Sequence, residues 1–487
     1  MFNKKLLAAL FSLVFLFTRC TDDEVEPGSL TAKAGADQQV EIGSHVTLDG
    51  TGSSDSEKKA LSFKWSLTKR PAGSSALLTT SDTEKTTFVP DEAGEYEAEL
   101  TVSNSNGESK DKVLITASAA EPLVLDGAIT VKTVLKNRVS SPNLPDYVVK
   151  KNIPVTAELT IEPGVVIAFS RDTRLEINDN GGILIAKGTA EKKIAFRGLE
   201  NGKGYWSGIV LRSASNANEM EYAEITDAGS KPLISTIKAG IALVGNNAQI
   251  SLKNILFSNN DGFGLHAEHA TTFRGFANNT FKNNTEAPVL VDAELVKLLD
   301  ENSAFTGGNG RNVIEIIQSS LTATATTETL WKGFKDHTPY RLVGSLTVKG
   351  AWKLAPGTTI EMARDLSIYI ESNAYLNAKG TKESKIVIKG VSANQGYWRG
   401  IITNSTSTES AFDYVEISGG GSSPIVSGKK ANIAVYGTNA RLDIKNSSIA
   451  NSGGYGVFVN YQAKVNADIE TINTFKDNPE GNLLKEK

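Results

Sequence analysis

The chain has 487 residues, which is too long for one compact domain and predicts several domains or a repeat array. Its 43 Gly, against 14 Pro and 3 Met, favour short strands and tight turns over long helices. The net charge of −4 argues against a nucleic-acid partner, because phosphate binding requires a concentrated positive surface. The single Cys excludes an intramolecular disulfide.

Residues 1–19 have the pattern of a secretion signal. Lys4 and Lys5 precede an apolar run over residues 6–17, which is too short to span a bilayer as a helix. A lone Cys directly after such a run resembles the lipobox of bacterial lipoproteins, in which the thiol is acylated and becomes part of the first mature residue. The resemblance implies a lipidated Cys20. The alternative is an unlipidated secreted protein.

Residues 20–29 predict an acidic tether, since an Asp-Asp-Glu run at 22–24 is followed by Pro27 and Gly28. An acidic run in this place resembles the export signal that carries some Gram-negative lipoproteins to the outer face of the outer membrane. The resemblance implies an outer-membrane protein that faces the cell exterior. Its acyl chains, rather than surface charge, would hold it to the membrane.

Residues 30–118 predict an antiparallel β-sandwich. Short alternating runs, such as Leu61, Phe63, Trp65 and Leu67, are separated by turn clusters at the spacing of sandwich strands. Residues 46–55, VTLDGTGSSD, begin a pattern that continues over the tryptophan and residues 88–107.

This pattern resembles the PKD-type immunoglobulin-like domains. The resemblance implies that Trp65 is the core tryptophan and that Tyr96 occupies the tyrosine-corner position, after Asp91 and Gly94. Such domains usually act as spacers or weak adhesion modules. We favour the spacer interpretation for this domain.

An internal repeat dominates the rest of the chain. The heptapeptide GYWSGIV at residues 204–210 recurs as GYWRGII at 396–402, and residues 222–225 match 414–417 at the same offset of 192. So many identities at a nearly constant offset indicate a duplicated structural module. The domain boundaries predicted from it are residues 119–335, including an inter-module segment, and residues 336–487.

Each module consists of runs of three to five mostly alternating residues separated by Gly, Asn, Asp or Pro-Gly. No helical crossover separates these runs, so a solenoid of stacked strands is the economical fold. The run resembles the right-handed parallel β-helix repeat family. At about 22 residues per coil it would have up to about 16 coils and a length of about 60–75 Å.

Three segments of the solenoid carry further predictions. The Asn-rich runs within residues 257–261 and 278–284 suit stacked turns, since Asn tolerates the left-handed conformation and its amide can bond to the next coil. Residues 123–144 fit the coil pattern poorly and predict an N-terminal cap. A helix is predicted at residues 293–299, after Asp292.

Because β-helix proteins include polysaccharide lyases and hydrolases, acidic clusters are candidates for catalysis. Glu221, Glu224 and Asp227 lie close in sequence, and Asp413 with Glu416 repeats the first two. A hydrolase needs two carboxylates at a defined separation. We interpret this cluster as a solvated strand edge, with carbohydrate chemistry or calcium binding as the alternative, and we assign no catalytic residue.

One histidine cluster raises the question of a metal. His266 and Glu268 would share one face of a strand, with His269 opposed to them. Zinc would require a strand break that turns the third side chain inward. The second copy has no His at the equivalent positions, so we favour ordinary surface histidines and predict no metal and no cofactor.

The aromatic pairs of the repeated heptapeptide are the candidate ligand-binding residues. Tyr205 with Trp206, and Tyr397 with Trp398, would offer aromatic platforms for sugars if their rings were exposed. The alternative is that they pack over a coil corner, where flanking Gly residues such as Gly208 allow close approach.

These observations predict an all-β protein: an immunoglobulin-like PKD-type β-sandwich followed by a tandemly duplicated right-handed parallel β-helix. The predicted function is that of a non-catalytic cell-surface lipoprotein, a binding or adhesion module that presents a β-helix face to glycan or to a surface protein. The alternatives are a polysaccharide-degrading β-helix enzyme and a structural component of a surface assembly.

Overall fold

The computed structural model describes residues 28–119, 121–139, 141–323, 327–425 and 427–487. The predicted signal sequence, Cys20 and most of the acidic tether lie outside these residues. The chain divides into two compact units between Ala119 and Ala120. The structure is all-β, with 46% of residues in strands and 2% in helices. In the described part of the chain, no helix combines the length and the apolar character that crossing a bilayer requires.

The first unit is the predicted sandwich. Its strands are Leu30–Thr31, Gln38–Glu41, Val46–Asp49, Ser54–Asp55, Ser62–Lys69, Lys85–Phe88, Gly94–Asn104 and Gly107–Ser118. Gly94–Asn104 pairs antiparallel with both Ser62–Lys69 and Gly107–Ser118 at the centre of a four-stranded sheet.

Trp65 and Tyr96 lie in the core of this unit, as the resemblance to PKD-type domains implied. The indole of Trp65 is buried, and its Nε1 donates a hydrogen bond to the carbonyl oxygen of Thr83 at 3.1 Å. The hydroxyl of Tyr96 accepts a hydrogen bond from the backbone N–H of Glu92 at 2.9 Å. This bond back to a residue upstream is the geometry of a tyrosine corner.

The second unit is a parallel β-helix, because every strand in it pairs in parallel with a strand about one coil away in sequence. One sheet of thirteen strands, here called the long sheet, extends through both copies of the repeat. Its strands are Ile153–Val155, Arg174–Ile177, Gly208–Leu211, Ala239–Leu243, Phe263–Ala267, Val289–Val291, Ile314–Ile316, Tyr340–Leu342, Thr359–Met362, Ile386–Gly390, Val415–Ser418, Ser448–Ala450 and Thr474–Lys476.

Two further sheets complete the coils of the first copy. The eight-stranded sheet contains Leu123–Leu125, Tyr147–Val149, Val166–Phe169, Ile194–Gly198, Ala223–Thr226, Leu256–Ser258, Thr280–Lys282 and Ala304–Gly307. The first six-stranded sheet contains Thr133–Leu135, Glu158–Ile161, Ile183–Lys187, Glu219–Glu221, Gln249–Lys253 and Thr272–Ala277. Residues 123–144, predicted to form a cap, thus provide the first strand of each of these two sheets.

Two other sheets complete the coils of the second copy. The seven-stranded sheet contains Ser319–Leu321, Leu346–Val348, Ser367–Ile370, Gly400–Thr403, Ala431–Val435, Tyr455–Val459 and Gly481–Lys485. The second six-stranded sheet contains Thr329–Trp331, Ala351–Leu354, Tyr375–Lys379, Ala411–Asp413, Arg441–Lys445 and Lys464–Val465. A single-turn helix, Ile469–Ile472, precedes the last strand of the long sheet.

The number of coils lies within the predicted limit of up to about 16. The long sheet has thirteen strands, one per coil, and a further coil precedes them in which Ile129 forms a single bridge to Val155. At a strand spacing of about 4.8 Å the thirteen strands span about 58 Å. Several turns are longer than the sequence pattern indicated, which keeps the number of coils below that limit. The loop over residues 228–238 is the clearest example.

The core of the β-helix is a column of stacked side chains. The rings of Phe257 and Phe281 stack with centroids 4.7 Å apart, and Phe281 stacks on Phe305 at 5.3 Å. These rings stack because the parallel pairing of successive strands places equivalent residues of neighbouring coils directly beside each other, as Phe257 and Phe281 are. Dispersion between stacked rings adds to the hydrophobic stabilisation of each coil.

Asn residues form a second column at the turn between the eight-stranded and the long sheet. Asn260 Nδ2 lies 2.9 Å from Asn284 Oδ1, and Asn284 Nδ2 lies 2.8 Å from Asn309 Oδ1. All three side chains are buried. Asn259 and Asn283 beside them have φ of +57° and +56°. The predicted role of the Asn-rich turns is confirmed.

The inter-module segment contains a 3₁₀-helix at Ala293–Leu298, where a helix was predicted over residues 293–299. Asp292 caps it, since its Oδ1 accepts a hydrogen bond from the N–H of Glu294 at 2.9 Å. The helix contacts the last strand of the first six-stranded sheet, Thr272–Ala277, and the first strand of the seven-stranded sheet, Ser319–Leu321. The helix therefore occupies, in its coil, the position of a strand, between the end of the first six-stranded sheet and the start of the seven-stranded sheet.

The inter-module segment rotates the second copy relative to the first about the long axis of the β-helix. Gly208–Leu211 lies in the long sheet, whereas its equivalent Gly400–Thr403 lies in the seven-stranded sheet, which follows the long sheet within each coil. Likewise Ala223–Thr226 lies in the eight-stranded sheet and its equivalent Val415–Ser418 in the long sheet. Equivalent side chains of the two copies consequently lie on neighbouring faces of the same β-helix.

Candidate functional site

The two tryptophans of the repeated heptapeptide lie in the core. Trp206 and Trp398 are both 0% exposed. Their Nε1 atoms donate hydrogen bonds to the carbonyl oxygens of Thr226, at 2.6 Å, and Ser418, at 2.8 Å. Trp206 also stacks on Phe169 with ring centroids 4.1 Å apart. Exposed platforms are therefore ruled out for these two indoles, and the packing alternative describes them.

The tyrosines of the heptapeptide are covered by arginines. The guanidinium of Arg171 lies 4.6 Å from the ring centre of Tyr205, and that of Arg364 lies 4.8 Å from the ring centre of Tyr397. Tyr205 is buried and Tyr397 is half-buried. Burial, with the charge of Glu200 nearby, raises the pKa of Tyr205. A ligand would reach only part of either ring, so the aromatic pairs do not form an open site.

The second glycine of each heptapeptide makes room for an outer loop. Gly208 has φ of +121°, and a Cβ there would lie 2.5 Å from the carbonyl oxygen of Ala239 and 3.2 Å from Leu233. Gly400 has φ of +126° and the same relation to Ile425, the equivalent of Leu233. The two loops, residues 228–238 in the first copy and the described residues 420–425 and 427–430 in the second, thus pack on the outside of the β-helix.

A small apolar cluster lies under each loop. In the first copy Leu233 packs with Val210 and Ala242, which point away from the central core. In the second copy Ile425 packs with Ala434 and Phe458. The heptapeptide therefore builds a coil corner from three parts: an inward Trp, a Tyr under an Arg, and a Gly that admits the loop.

The candidate catalytic carboxylates do not converge. Glu221 lies in the first six-stranded sheet and Glu224 in the eight-stranded sheet, because the chain turns between them at Tyr222, which has φ of +46°. Asp227 lies at the next corner and is buried, where its Oδ1 accepts a hydrogen bond from Asn259 Nδ2 at 2.6 Å. The expectation of a solvated strand edge is wrong for Asp227, because this bond and its burial remove it from solvent.

Three other carboxylates of the cluster, those of Glu224, Glu416 and Asp413, are paired with neighbouring side chains. Lys193 Nζ lies 3.0 Å from Glu224, and Lys385 Nζ lies 2.8 Å from Glu416 at the equivalent place in the second copy. Asp413 accepts a hydrogen bond from Asn446 Nδ2 at 2.9 Å. The Lys–Glu interaction is the same in both copies, which indicates a structural use of these acidic residues.

One of the two histidines differs from the prediction of surface histidines, whereas His269 lies at the surface as predicted. His266 is 1% exposed, and its Nδ1 lies 3.1 Å from the carbonyl oxygen of Leu290. Burial lowers the pKa of His266 to about 4. His269 points elsewhere, with its Nδ1 3.4 Å from Asp292. Among the described residues, no group of three or more His, Cys, Asp and Glu side chains has the arrangement of a metal site.

Shallow grooves lie beside the repeated Lys–Glu pairs. A cavity of about 480 Å³ in the first copy is lined by Asn137, Lys192, Lys193, Ala195 and Glu224, among others. A cavity of about 410 Å³ in the second copy includes Lys385 and Glu416. Each groove offers hydrogen-bonding groups and a balanced ion pair on an open surface, which suits weak contact with a polar ligand.

Sequence reasoning missed two exposed tyrosines of the second copy. Tyr436 is 39% exposed and Tyr461 is 62% exposed. Each lies just after a strand of the seven-stranded sheet, at the corner that leads to the second six-stranded sheet. The sequence feature that could have revealed these tyrosines is that each lies in a turn without charged residues. The repeated heptapeptide pointed instead to aromatic residues that are buried.

Comparison with known proteins identifies the first unit. Residues 34–117 match the model of a PKD domain family. The solution structure of the PKD domain from the KIAA 1837 protein is 28% identical, covers 19% of this chain and 89% of that chain, and gives a TM-score of 0.17. A PKD domain from human KIAA0319 is 18% identical over 19% of this chain and 83% of that chain, with a TM-score of 0.17.

One larger protein also shows a likeness. A nucleoside hydrolase-related hypothetical protein from Saccharophagus degradans, associated with carbohydrate metabolism, is 21% identical over 19% of this chain and 25% of that chain, with a TM-score of 0.17. No curated protein gives a significant match. The class of protein is therefore defined by its two parts, a PKD domain followed by long parallel sheets of a β-helix.

Proposed function

We propose that this protein is a non-catalytic binding protein of the bacterial cell surface, held in the outer membrane by a lipid on Cys20. The PKD domain would act as a spacer or weak adhesion module between the anchor and the β-helix. The β-helix would present its outer faces to glycan or to a neighbouring surface protein. Stacked coils suit this role, since they form long rigid surfaces whose side chains are held in register.

The observation that carries the proposal is that the candidate carboxylates extend from different sheets and that Glu224 and Glu416 are each paired with a Lys. Hydrolysis of a glycosidic bond requires two carboxyl groups that face one another across the bond. Here Glu221 and Glu224 extend from different sheets, and Glu224 is paired with Lys193 at 3.0 Å. The equivalent Glu416 has the same partner type at 2.8 Å. A site for binding needs no such pair.

The proposal is tested by separating binding from turnover. The mature protein would be incubated with neutral and acidic polysaccharides, and reducing ends and unsaturated sugars would be measured. In parallel, the same preparation would be applied to a glycan array and to purified outer-membrane proteins. We expect binding to at least one surface component and no product above that of a heat-unfolded sample. Product release, or an absence of binding to every probe, would overturn the proposal.

A further inference from the structure

An uncharged strip lies at one corner of the second copy. It consists of three turns that follow successive strands of the seven-stranded sheet, residues 404–408, 436–439 and 460–462, here called the tyrosine strip. Every residue in these turns is uncharged, whereas 22% of the whole chain is charged. Its residues are Asn, Ser, Thr, Gln and Gly, with Tyr436 and Tyr461.

The two tyrosines lie on adjacent coils. Val435 pairs with Val459 in the seven-stranded sheet, so Tyr436 and Tyr461 follow paired positions by one and two residues. Neighbouring coils are separated by about 4.8 Å. Their exposed fractions, 39% and 62%, leave most of the second ring and part of the first available to a ligand. The strip therefore exposes one aromatic ring on each of two adjacent coils.

Hydrogen-bonding groups surround the rings. Thr438 Oγ1 lies 2.6 Å from Gln462 Oε1, and both hydrogen-bonding groups lie at the surface. Asn404 Nδ2 donates to the hydroxyl of Tyr369 at 2.8 Å, and the Oδ1 of Asn404 is buried. The hydroxyl and amide groups of the strip can both donate and accept, as the hydroxyl groups of a sugar require.

The backbone of the strip is held rigidly from coil to coil. The N–H of Tyr436 donates to the carbonyl oxygen of Thr403 at 2.9 Å, and that of Asn460 donates to Val435 at 2.9 Å. The N–H of Asn439 donates to Gln462 at 3.1 Å. Because the turns are already ordered, a ligand loses less free energy in fixing them than it would on a flexible loop.

The first copy lacks this surface. Its positions equivalent to Asn404, Tyr436, Asn460 and Tyr461 hold Arg212, Val244, Glu268 and His269. Val244 is buried, and the charged Arg212 and Glu268 remove the neutral character of the corner. The coil geometry is common to both copies, so it does not require the tyrosines. Their exposure in the second copy alone points to a use other than folding.

We propose that the tyrosine strip binds a neutral polysaccharide. Tyr rings would stack on the apolar faces of sugar rings, and the surrounding hydroxyl and amide groups would exchange hydrogen bonds with sugar hydroxyls. The strip has no charged residue of its own, and the carboxylate of Glu486, which accepts a hydrogen bond from Asn460 Nδ2 at 2.7 Å, would repel an acidic polymer. A protein partner fits less well, because the strip is smaller than the roughly 20–30 residues a side of a standard protein interface. This inference rests on the proposed binding function and names its site and ligand class.

The test uses the mature chain and neutral hexasaccharides of β-1,4-glucan, β-1,3-glucan, β-1,4-xylan and β-1,4-mannan, with a galacturonate hexamer as the acidic probe. Titration calorimetry would give the affinities. We expect at least one neutral probe to bind more tightly than the acidic one. The changes Tyr436→Ala and Tyr461→Ala should each weaken that binding by about tenfold, and Tyr461→Phe should retain it because the ring remains.

The internal repeat supplies a matched control. His269→Ala changes the first-copy equivalent of Tyr461 and should leave the affinity for neutral probes unchanged. Unfolding curves of each variant would establish that the fold is intact. The inference is overturned if the tyrosine variants bind like the wild type, or if His269→Ala weakens binding equally. It also fails, while the broader binding function stands, if the protein binds purified outer-membrane proteins but none of the neutral probes.

Discussion

Trp206 shows how one side chain of the repeated heptapeptide carries stability. Its ring is fully buried, stacks on Phe169 at 4.1 Å and satisfies its only polar side-chain atom on Thr226. Replacing it by Ala would leave a cavity and an unpaired carbonyl oxygen. We expect Trp206→Ala to lower the free energy of unfolding by about 3–5 kcal/mol, measured by urea denaturation.

The control for this change is an exposed aromatic residue of the same β-helix. Tyr461→Ala removes a ring that is 62% exposed, and it should alter the free energy of unfolding by less than about 0.5 kcal/mol. Equal effects of the two substitutions would show that burial does not decide the role of Trp206.

The burial of His266 makes the stability of the β-helix depend on pH. Its pKa is lowered by burial to about 4, against 6.5 in an unfolded chain. The unfolded state therefore binds a proton between these values while the folded state does not, and stability falls as the pH is lowered from 6.5 to 4. At a pH of about 4 the loss reaches about 3 kcal/mol.

The second copy of the repeat suggests a substitution that tests this pH effect. Phe458 occupies the position equivalent to His266 and is equally buried, so His266→Phe replaces a titratable ring by an apolar ring that the fold already accommodates. We expect the variant to lose this part of the pH dependence in urea denaturation between about pH 7 and about pH 4.5. Parallel pH profiles for the two proteins would contradict the assignment.

At the scale of the element, the Asn column holds successive turns together. Asn284 Oδ1 accepts from Asn260 Nδ2 at 2.9 Å and from the backbone N–H of Asn260 at 3.3 Å, and Asn284 Nδ2 donates to Asn309 at 2.8 Å. Removing the side chain therefore leaves the buried N–H of Asn260 without this acceptor. We expect Asn284→Ala to cost about 2–3 kcal/mol and to increase amide exchange at the turns on either side. Asn246→Ala, at an exposed turn position, should show neither effect.

Each outer loop packs on the β-helix only because a glycine, Gly208 or Gly400, leaves room for it. A Cβ at residue 208 would meet the carbonyl oxygen of Ala239 at 2.5 Å, and the φ of +121° disfavours any other residue. We expect Gly208→Ala to lower the free energy of unfolding by about 2 kcal/mol or more. Amide exchange should show whether residues 228–238 are released from the sheet.

Gly127 is the matched control for the glycine change. A Cβ at that position would meet no atom within 4 Å, and its φ is not in the left-handed region. Gly127→Ala should therefore be neutral or slightly stabilising, because it restricts only the unfolded chain. If both substitutions destabilise to the same extent, the contact with the outer loop is not the cause.

At the scale of the whole molecule, the duplication has a geometric consequence. Equivalent strands such as Gly208–Leu211 and Gly400–Thr403 lie in neighbouring sheets, since the inter-module segment adds a number of strand positions that is not a whole number of coils. The two copies therefore display their equivalent residues on different faces. A straight polymer aligned with the β-helix axis cannot contact both copies through the same residues.

The membrane anchor also belongs to this scale. The proposed lipid on Cys20 would hold the whole protein, whose described residues contain no helix suited to crossing a bilayer. We expect Cys20→Ser to move the protein from the membrane fraction to the soluble fraction of secreting cells. Fractionation followed by immunoblotting would measure this, with Tyr461→Ala as a variant that stays membrane-bound. A Cys20→Ser protein that remains in the membrane would contradict the anchor.

Local patterns in the sequence were sufficient to predict most of the fold. The alternation around Trp65 and Tyr96 predicted the sandwich, and the short strands separated by Gly and Asn predicted a parallel solenoid with stacked Asn turns. These features depend on residues that are close in sequence or repeat at a constant offset. The backbone and the burial of alternate side chains therefore decide them locally.

Only the tertiary structure decided which side chains are accessible and which meet. The heptapeptide pointed to Trp206, which is buried, and away from Tyr461, because exposure depends on which coil corner a residue reaches. The separation of Glu221 from Glu224 required knowing that the chain changes sheets at Tyr222. The turn of one copy against the other depends on how many strand positions residues 292–335 occupy, which no local pattern specifies.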